Sequence, residues 1–290
     1  MKIFATIFTL VLVSSAAHAA TMTVSPQGAQ PGDAVTISIM PAAGETIQSI
    51  GMNAFDTQSV RFFVRPNGVT RALVGFPFDR TGGSYPLAAR VAIEKDGQTR
   101  EQVLKTTLRA ASRNYPSQHI SMNSSTAGTM NKKAALRAEK LRVQAAMKNS
   151  SASPLWSGVW VKPTRGRESS SYGRRRWVNG KWWGQHNGAD VKAPSGQPVL
   201  AANSGRVVLS EYLPNLRGNC IVVDHGANLF SIYMHLSKRL VSAGQRVAKG
   251  QHLGNVGATG FVTGPHLHWE TRIGWEPVDP NRILARGVSF

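Results

Sequence analysis

From roughly residue 20 to 110, apolar and polar positions alternate in short runs, and turn residues close each run. Met22-Thr23-Val24, Ala34 to Ile39 behind Pro31-Gly32-Asp33, Val60 to Val64, Ala72 to Phe76 and Ala88 to Ile93 are all β-prone segments of strand length. Their spacing predicts a small β-sandwich or related all-β module over residues 20–112. The pattern changes at Asn131 to Met147, where Ala, Leu, Lys and Arg surround one acid, Glu139. That composition predicts a short helix, set in a connector over residues 113–154 whose polar flanks are Ser124-Ser125-Thr126 and Ser150-Ser151-Ala152-Ser153-Pro154. Strand-like runs return from 155 to 290. They include Pro198 to Ala202, Gly205 to Ser210, Asn219 to Asp224 and Phe230 to His235, separated by Gly and Asn turns. The predicted fold is mainly β, with the helix confined to the connector.

The candidate chemistry lies in the last of these regions. His186-Asn187-Gly188-Ala189-Asp190 is answered about eighty residues later by His266-Leu267-His268. Two imidazoles and one carboxylate can occupy three corners of a tetrahedral divalent site, leaving the fourth for water, as catalytic zinc sites do. His266 and His268 are two apart, so on a strand they leave one face together while Leu267 and Trp269 face a core. One of the pair can bind metal while the other leans over the water. The four-residue spacing of His186 and Asp190 suits one helix face or the two sides of a turn, and Gly188 with Pro194-Ser195-Gly196 favours the turn. Water at such a site needs a base. The chain has no HExxH motif, so the glutamate base that accompanies it is absent, and histidine, with a pKa near 6.5, is the natural substitute.

The ordered set Ser170-Ser171-Tyr172-Gly173-Arg174-Arg175, His186 to Asp190, Ile232-Tyr233-Met234-His235-Leu236-Ser237 and Thr259 to Glu270 resembles the catalytic domain of M23 zinc metallopeptidases, the family of lysostaphin and the LytM-type peptidoglycan endopeptidases. The resemblance covers about residues 155–282. It implies an antiparallel β-sheet domain over 155–290, one zinc ion held by His186, Asp190 and His268, and two catalytic non-ligand histidines, His235 and His266. We assign His266 as general base and His235 as its partner, with the reverse division open. The implied activity is hydrolysis of peptide bonds in peptidoglycan. The alternatives are a silent wall-binding activator, which the intact ligand set disfavours, and a secreted bacteriolytic or general metallopeptidase. The segment Val241 to Gly254 also resembles the turns of biotinyl and lipoyl carriers, but it lacks a Met-Lys modification site. Among other residues, Glu270 has a metal-supporting or a structural role, and Tyr172 and Arg174 are candidates for the groove. His225 and His252 read as structural or exposed, and His119 falls outside the matching region. The long stretch ahead of the enzyme raises the expectation that the amino-terminal module or the connector covers the groove.

Met1-Lys2, the apolar run Ile3 to Val13 and Ala17-His18-Ala19-Ala20 have the zones of a secretory leader, residues 1–19. The run is too short for a permanent anchor, and no later segment reaches the ~18–20 apolar residues of a transmembrane helix. Export to the periplasm, the cell wall or the medium is expected. Cys220 stands alone in the sequence, which excludes an intramolecular disulfide, and its apolar surroundings predict a buried strand residue. Lys and Arg outnumber Asp and Glu 34 to 15, a formal net charge of +19. An exported chain does not meet intracellular nucleic acid, so the expected polyanionic partners are peptidoglycan and other anionic envelope polymers, held by an attraction that salt weakens.

Overall fold

The computed structural model describes residues 19–55, 58–123 and 127–290, so the leader expected over 1–19 lies almost wholly outside the described residues. Near the amino terminus, a four-stranded sheet contains the strands Thr21–Ser25, Ala34–Met40, Thr70–Gly75 and Phe63–Val64 in that spatial order. A three-stranded sheet contains Thr46–Gly51, Gly83–Lys95 and Gln98–Ala110. Val35, Ile37, Ile39 and Val74 from the first meet Leu87, Ala89, Val91, Ile93, Leu104 and Leu108 from the second in one core. The alternation seen in sequence is the physical cause, since a period of two puts all the apolar side chains of a strand on one face.

The carboxy-terminal region is built on an eight-stranded sheet. Its central order is Arg167–Ser170, Ala189–Lys192, His266–Ile273, Leu229–Leu236, Gly218–Gly226 and Gly205–Leu213, every neighbouring pair antiparallel. Leu229–Leu236 is buried at every residue because both faces of the sheet are covered. One face carries Tyr233, Leu267 and Trp269 in the main core. The other meets helix α1, Lys133–Ala146, whose Val143, with Met147 just beyond it, packs on Cys220, Val222, Phe230 and Ile232. Burial pushes the Cys220 thiol up to about 12.

Far from being a loose linker, the connector is knitted into the structure through both a strand and a helix. Ahead of α1, its strand Ser117–Ile120 runs parallel to Arg175–Val178, which forms a hairpin with Lys181–Gln185. Asn179 and Gly180 turn that hairpin with φ of 46° and 77°, the left-handed pair that an Asn-Gly two-residue turn supplies.

The amino-terminal sheets are docked, too. Phe63 and Leu73 enter the carboxy-terminal core, and the carboxylate of buried Asp33 takes a two-pronged ion pair from Arg282. Arg113 reaches Asp279 at 2.6 Å, and Asp279 also caps the second helix, α2 (Pro280–Arg286), by accepting from Asn281 N at 2.9 Å.

Candidate metal centre and cleft

Strand register assembles the centre. Asp190 stands directly opposite His268 on the neighbouring strand, and Lys192 opposite His266, so Asp190 and His268 share a face. His186 arrives from the end of the hairpin strand, its N–H donating to Arg174 O at 2.9 Å while its carbonyl accepts from Gly173 N at 2.8 Å. Of the three residues between the two ligand candidates, the middle one, Gly188, has to be glycine. A Cβ on Gly188 would lie 2.3 Å from the carbonyl oxygen of Trp269, so any side chain there would force the Ala189–Lys192 strand off its neighbour.

Three acceptor atoms converge at one point. His186 Nε2 lies 3.0 Å from Asp190 Oδ1 and 3.0 Å from His268 Nδ1, and His268 Nδ1 lies 2.7 Å from the same Asp190 oxygen. The outer nitrogens are already committed. His186 Nδ1 lies 2.8 Å from Ser171 O and His268 Nε2 lies 3.0 Å from Glu270 Oε1. Each of those nitrogens therefore carries a proton and donates it outward, so in the neutral rings the inward nitrogens are lone pairs. Two lone pairs and a carboxylate oxygen repel one another unless positive charge stands between them. The distances are a few tenths of an ångström inside the roughly 3.3 Å edge of a tetrahedron with ~2.0 Å metal–ligand bonds, so small outward movements accommodate an ion. The donor set fits a zinc-like cation.

Electrostatics agree. Burial lowers His186 to about 4, favouring the neutral form that ligates metal. Burial also opposes protonation of His268, but its hydrogen bonds with Asp190 and Glu270 outweigh that and push it up to about 9. Against burial, His186 and His268 hold the Asp190 carboxyl well below its ordinary range. The cluster thus draws a proton or a metal cation to its centre.

The other two histidines face this point. Meeting Thr259 O at 2.9 Å, His235 Nδ1 is its ring's donor, and the ring lies 4.9 Å from that of His266 and 5.8 Å from that of His268. His266 Nδ1 likewise meets Gly264 O at 2.8 Å, and its Nε2 stands 3.7 Å from Asp190 Oδ1. Each has one nitrogen anchored to backbone and the other left as an acceptor. Burial is the leading cause that lowers both from 6.5.

All five residues singled out in the sequence therefore come together, in a cleft of 520 Å³ also lined by Trp183, Lys192 and Phe261. Gln118, Ile120 and Met122 of the connector form part of its wall, whereas no residue of 20–112 lines it among the described residues. Tyr172 is a correction: it is buried at the domain junction with its hydroxyl on Pro277 O at 2.9 Å, and so is not a groove residue. Arg174 is also absent from the described cleft lining. The residue two further on is there instead: Arg176 bonds Asp190 Oδ2, leaving Oδ1 for the ion, and also reaches Ser170 Oγ at 3.1 Å and Gln118 Oε1 at 3.2 Å. The Asn179-Gly180 signal marks the hairpin that carries Arg176 but not the partners of its guanidinium. Glu270 is resolved as the group that orients His268, itself held by Arg272 Nε at 2.6 Å. His225 is structural, bridging Ser204 O and Ser231 Oγ at 2.8 Å each.

Residues 184–280 match the family model described as Peptidase family M23. Peptidoglycan DD-endopeptidase ShyA of Vibrio cholerae is 46% identical over 94 residues, which are 32% of this chain and 22% of that protein. A Pseudomonas aeruginosa crystal structure ascribed to peptidase M23 is 25% identical, covers 88% of this chain and 93% of its own, and superposes with a TM-score of 0.59. The catalytic domain of lysostaphin from Staphylococcus simulans is 32% identical over 41% of this chain and 92% of that one, with a TM-score of 0.38. The match to ShyA spans about a fifth of that protein's length.

Proposed function

We infer that this chain, which belongs to peptidase family M23, is a zinc-dependent endopeptidase that hydrolyses peptide bonds in the cross-links or stems of peptidoglycan. The observation that carries this reading is the convergence of His186 Nε2, Asp190 Oδ1 and His268 Nδ1, both imidazoles having their other nitrogen engaged elsewhere. His186, Asp190 and His268 would hold a zinc ion, which would supply a Lewis acid able to polarise the scissile carbonyl and to acidify water. The name of the Vibrio cholerae relative points to peptidoglycan as the substrate. Action in the periplasm or outside the cell follows from that substrate, and the basic charge favours a wall rich in carboxylates.

The residues of the chain manage the protons. His266 is the more exposed of the two free histidines, and its Nε2 stands nearer the ligand oxygen, which suits a base that takes a proton from the attacking water and returns it to the leaving amine. His235 donates its one ring proton from Nδ1 to Thr259 O, so its Nε2 accepts, and its role is to orient that water. Arg176 and Glu270 keep Asp190 and His268 aimed inward. A wall-binding activator with no activity of its own has no use for two extra imidazoles directed at the ion.

Digestion of purified sacculi tests the reading. The zinc-loaded chain is expected to release stem fragments identifiable by mass spectrometry, and His268→Ala to fall to background. Chelation should abolish the wild-type reaction and added zinc restore it. Undiminished release by His268→Ala or by the chelated protein would overturn the assignment.

A further inference from the structure

Arg217, on the turn that joins Gly205–Leu213 to Gly218–Gly226, carries a charge that the steps above leave unused. It is 5% exposed and lines the cleft together with His235 and His266. Its Nε and Nη1 are buried without a hydrogen-bond partner among the described residues. Glu139 of α1 stands opposite at 3.7 Å from Nη1, beyond hydrogen-bonding distance.

Glu139 is occupied by the backbone of the same turn. Its Oε1 accepts from Asn215 N at 2.6 Å and Asn215 Nδ2 at 3.1 Å, and its Oε2 from Leu216 N at 3.0 Å. The one acid of a basic helix is therefore a clamp on the turn. From the far side the turn is gripped by Phe261 N, which donates to Leu216 O at 3.0 Å, and by His235 N, which donates to Arg217 O at 2.9 Å. Gly218 closes the turn at φ 63°, where a Cβ would stand 2.2 Å from Thr259 Oγ1. The turn is rigid, tied to the backbone of His235, and presents a guanidinium whose donors are incompletely used. Buried donors without partners are costly, and a fold retains them where a ligand completes them.

We propose that Arg217 is the anchor for a carboxylate of the substrate next to the scissile bond. The inference rests on the peptidoglycan reading and deepens it, because it states which chemical group of the peptide the cleft recognises. The planar fork of a guanidinium matches the two oxygens of a carboxylate. Arg176, the other arginine of the cleft, is spent on Asp190, Ser170 and Gln118, and Lys192 is exposed, a mobile point charge in place of a fixed fork.

Two matched cross-link peptides test it with the zinc-loaded full chain. One bears a free carboxylate beside the scissile bond and the other the primary amide. The wild type is expected to show a KM about tenfold lower for the carboxylate, and Arg217→Gln to collapse that preference to about one. Arg217→Lys keeps a positive charge beside Glu139 but loses the fork, and is expected to retain about a threefold preference. It provides the reading if Arg217→Gln fails to fold by zinc content and unfolding midpoint. A wild type without preference, or a folded variant of either kind that keeps the full preference, overturns the proposal. If the wild type cleaves sacculi and both peptides equally, the peptidoglycan reading stands and the Arg217 assignment alone falls. If it cleaves neither sacculi nor peptides, both fall.

Discussion

His235 has a left-handed backbone, φ 65°, at the end of a strand. Met234 stands opposite His268, so in a regular strand the next side chain would point to the other face, away from the ion site. The register with Gly218–Gly226 slips between Asn219 and Ile221, which pair with Leu236 and Tyr233, so two residues on one strand oppose one on the other. That bulge turns the ring back into the cleft. Its surroundings then set its protonation. Burial, followed by the nearby His266 and His268, lowers His235, and burial lowers His266. A bound cation pushes both in the same direction. The form that accepts a proton is the neutral one, and a lowered pKa keeps it neutral as pH falls through 6.5. The acid limb of kcat/KM on a soluble cross-link peptide is therefore expected below pH 6.5, and a limb at or above that value would contradict the environment described for both rings. At this scale, residue type and spacing made legible the five residues that the fold brings to one cleft. Arg176 and Glu139 were not, because a guanidinium and a carboxylate acquire roles from partners remote in the chain.

Between elements, the centre depends on how closely Ala189–Lys192 can approach His266–Ile273. Gly188 has a Cβ-free surface against the Trp269 carbonyl, and the opposed pair Asp190 and His268 follows two residues later. Gly188→Ala is expected to destabilise the fold by about 1–3 kcal/mol, the usual cost of forcing atoms into a packed site. Because the strand that shifts carries Asp190, zinc affinity should fall by roughly tenfold or more, the scale seen when ligand orientation is disturbed. Chemical denaturation and a zinc competition titration measure the two; unchanged affinity in a folded variant would show that register tolerates the shift. Strands with apolar alternation were legible as elements. Gln98–Ala110 was not, since only Leu104 and Leu108 are fully buried along its thirteen residues and its exposed face reads as polar loop. The strand Ser117–Ile120 was hidden for a similar reason: four residues with no fully buried side chain register as strand only when a partner lies alongside.

Across the whole molecule, the amino-terminal sheets and the carboxy-terminal domain do not behave as separate beads. Phe63 and Leu73 belong to the carboxy-terminal core, Thr36 Oγ1 donates to Ser289 O at 2.6 Å, and Asp33 and Asp279 are buried beneath Arg282 and Arg113. A buried carboxylate deprived of its arginine costs about 3–5 kcal/mol, so Arg282→Ala is expected to split one cooperative calorimetric transition into two or to lower its midpoint by several degrees. A wild-type chain that already unfolds in two well-separated steps would show the junction to be weak. The connector contributes Gln118, Ile120 and Met122 to the wall of the cleft, and α1 braces the sheet behind it.

What the sequence determined by itself was the chemistry of the ligands and the β character of the chain, because both are written locally, in residue type and in a two-residue period. The tertiary structure alone decided which nitrogen of each histidine is left to face the ion, that a bulge would recover His235, and that a helix from the connector would steady the turn bearing Arg217. Those outcomes depend on strand register and on hydrogen bonds that only the folded chain sets, from Glu270 two residues beyond His268 to Glu139 seventy-six residues before Asn215, and no local pattern encodes who the partner will be.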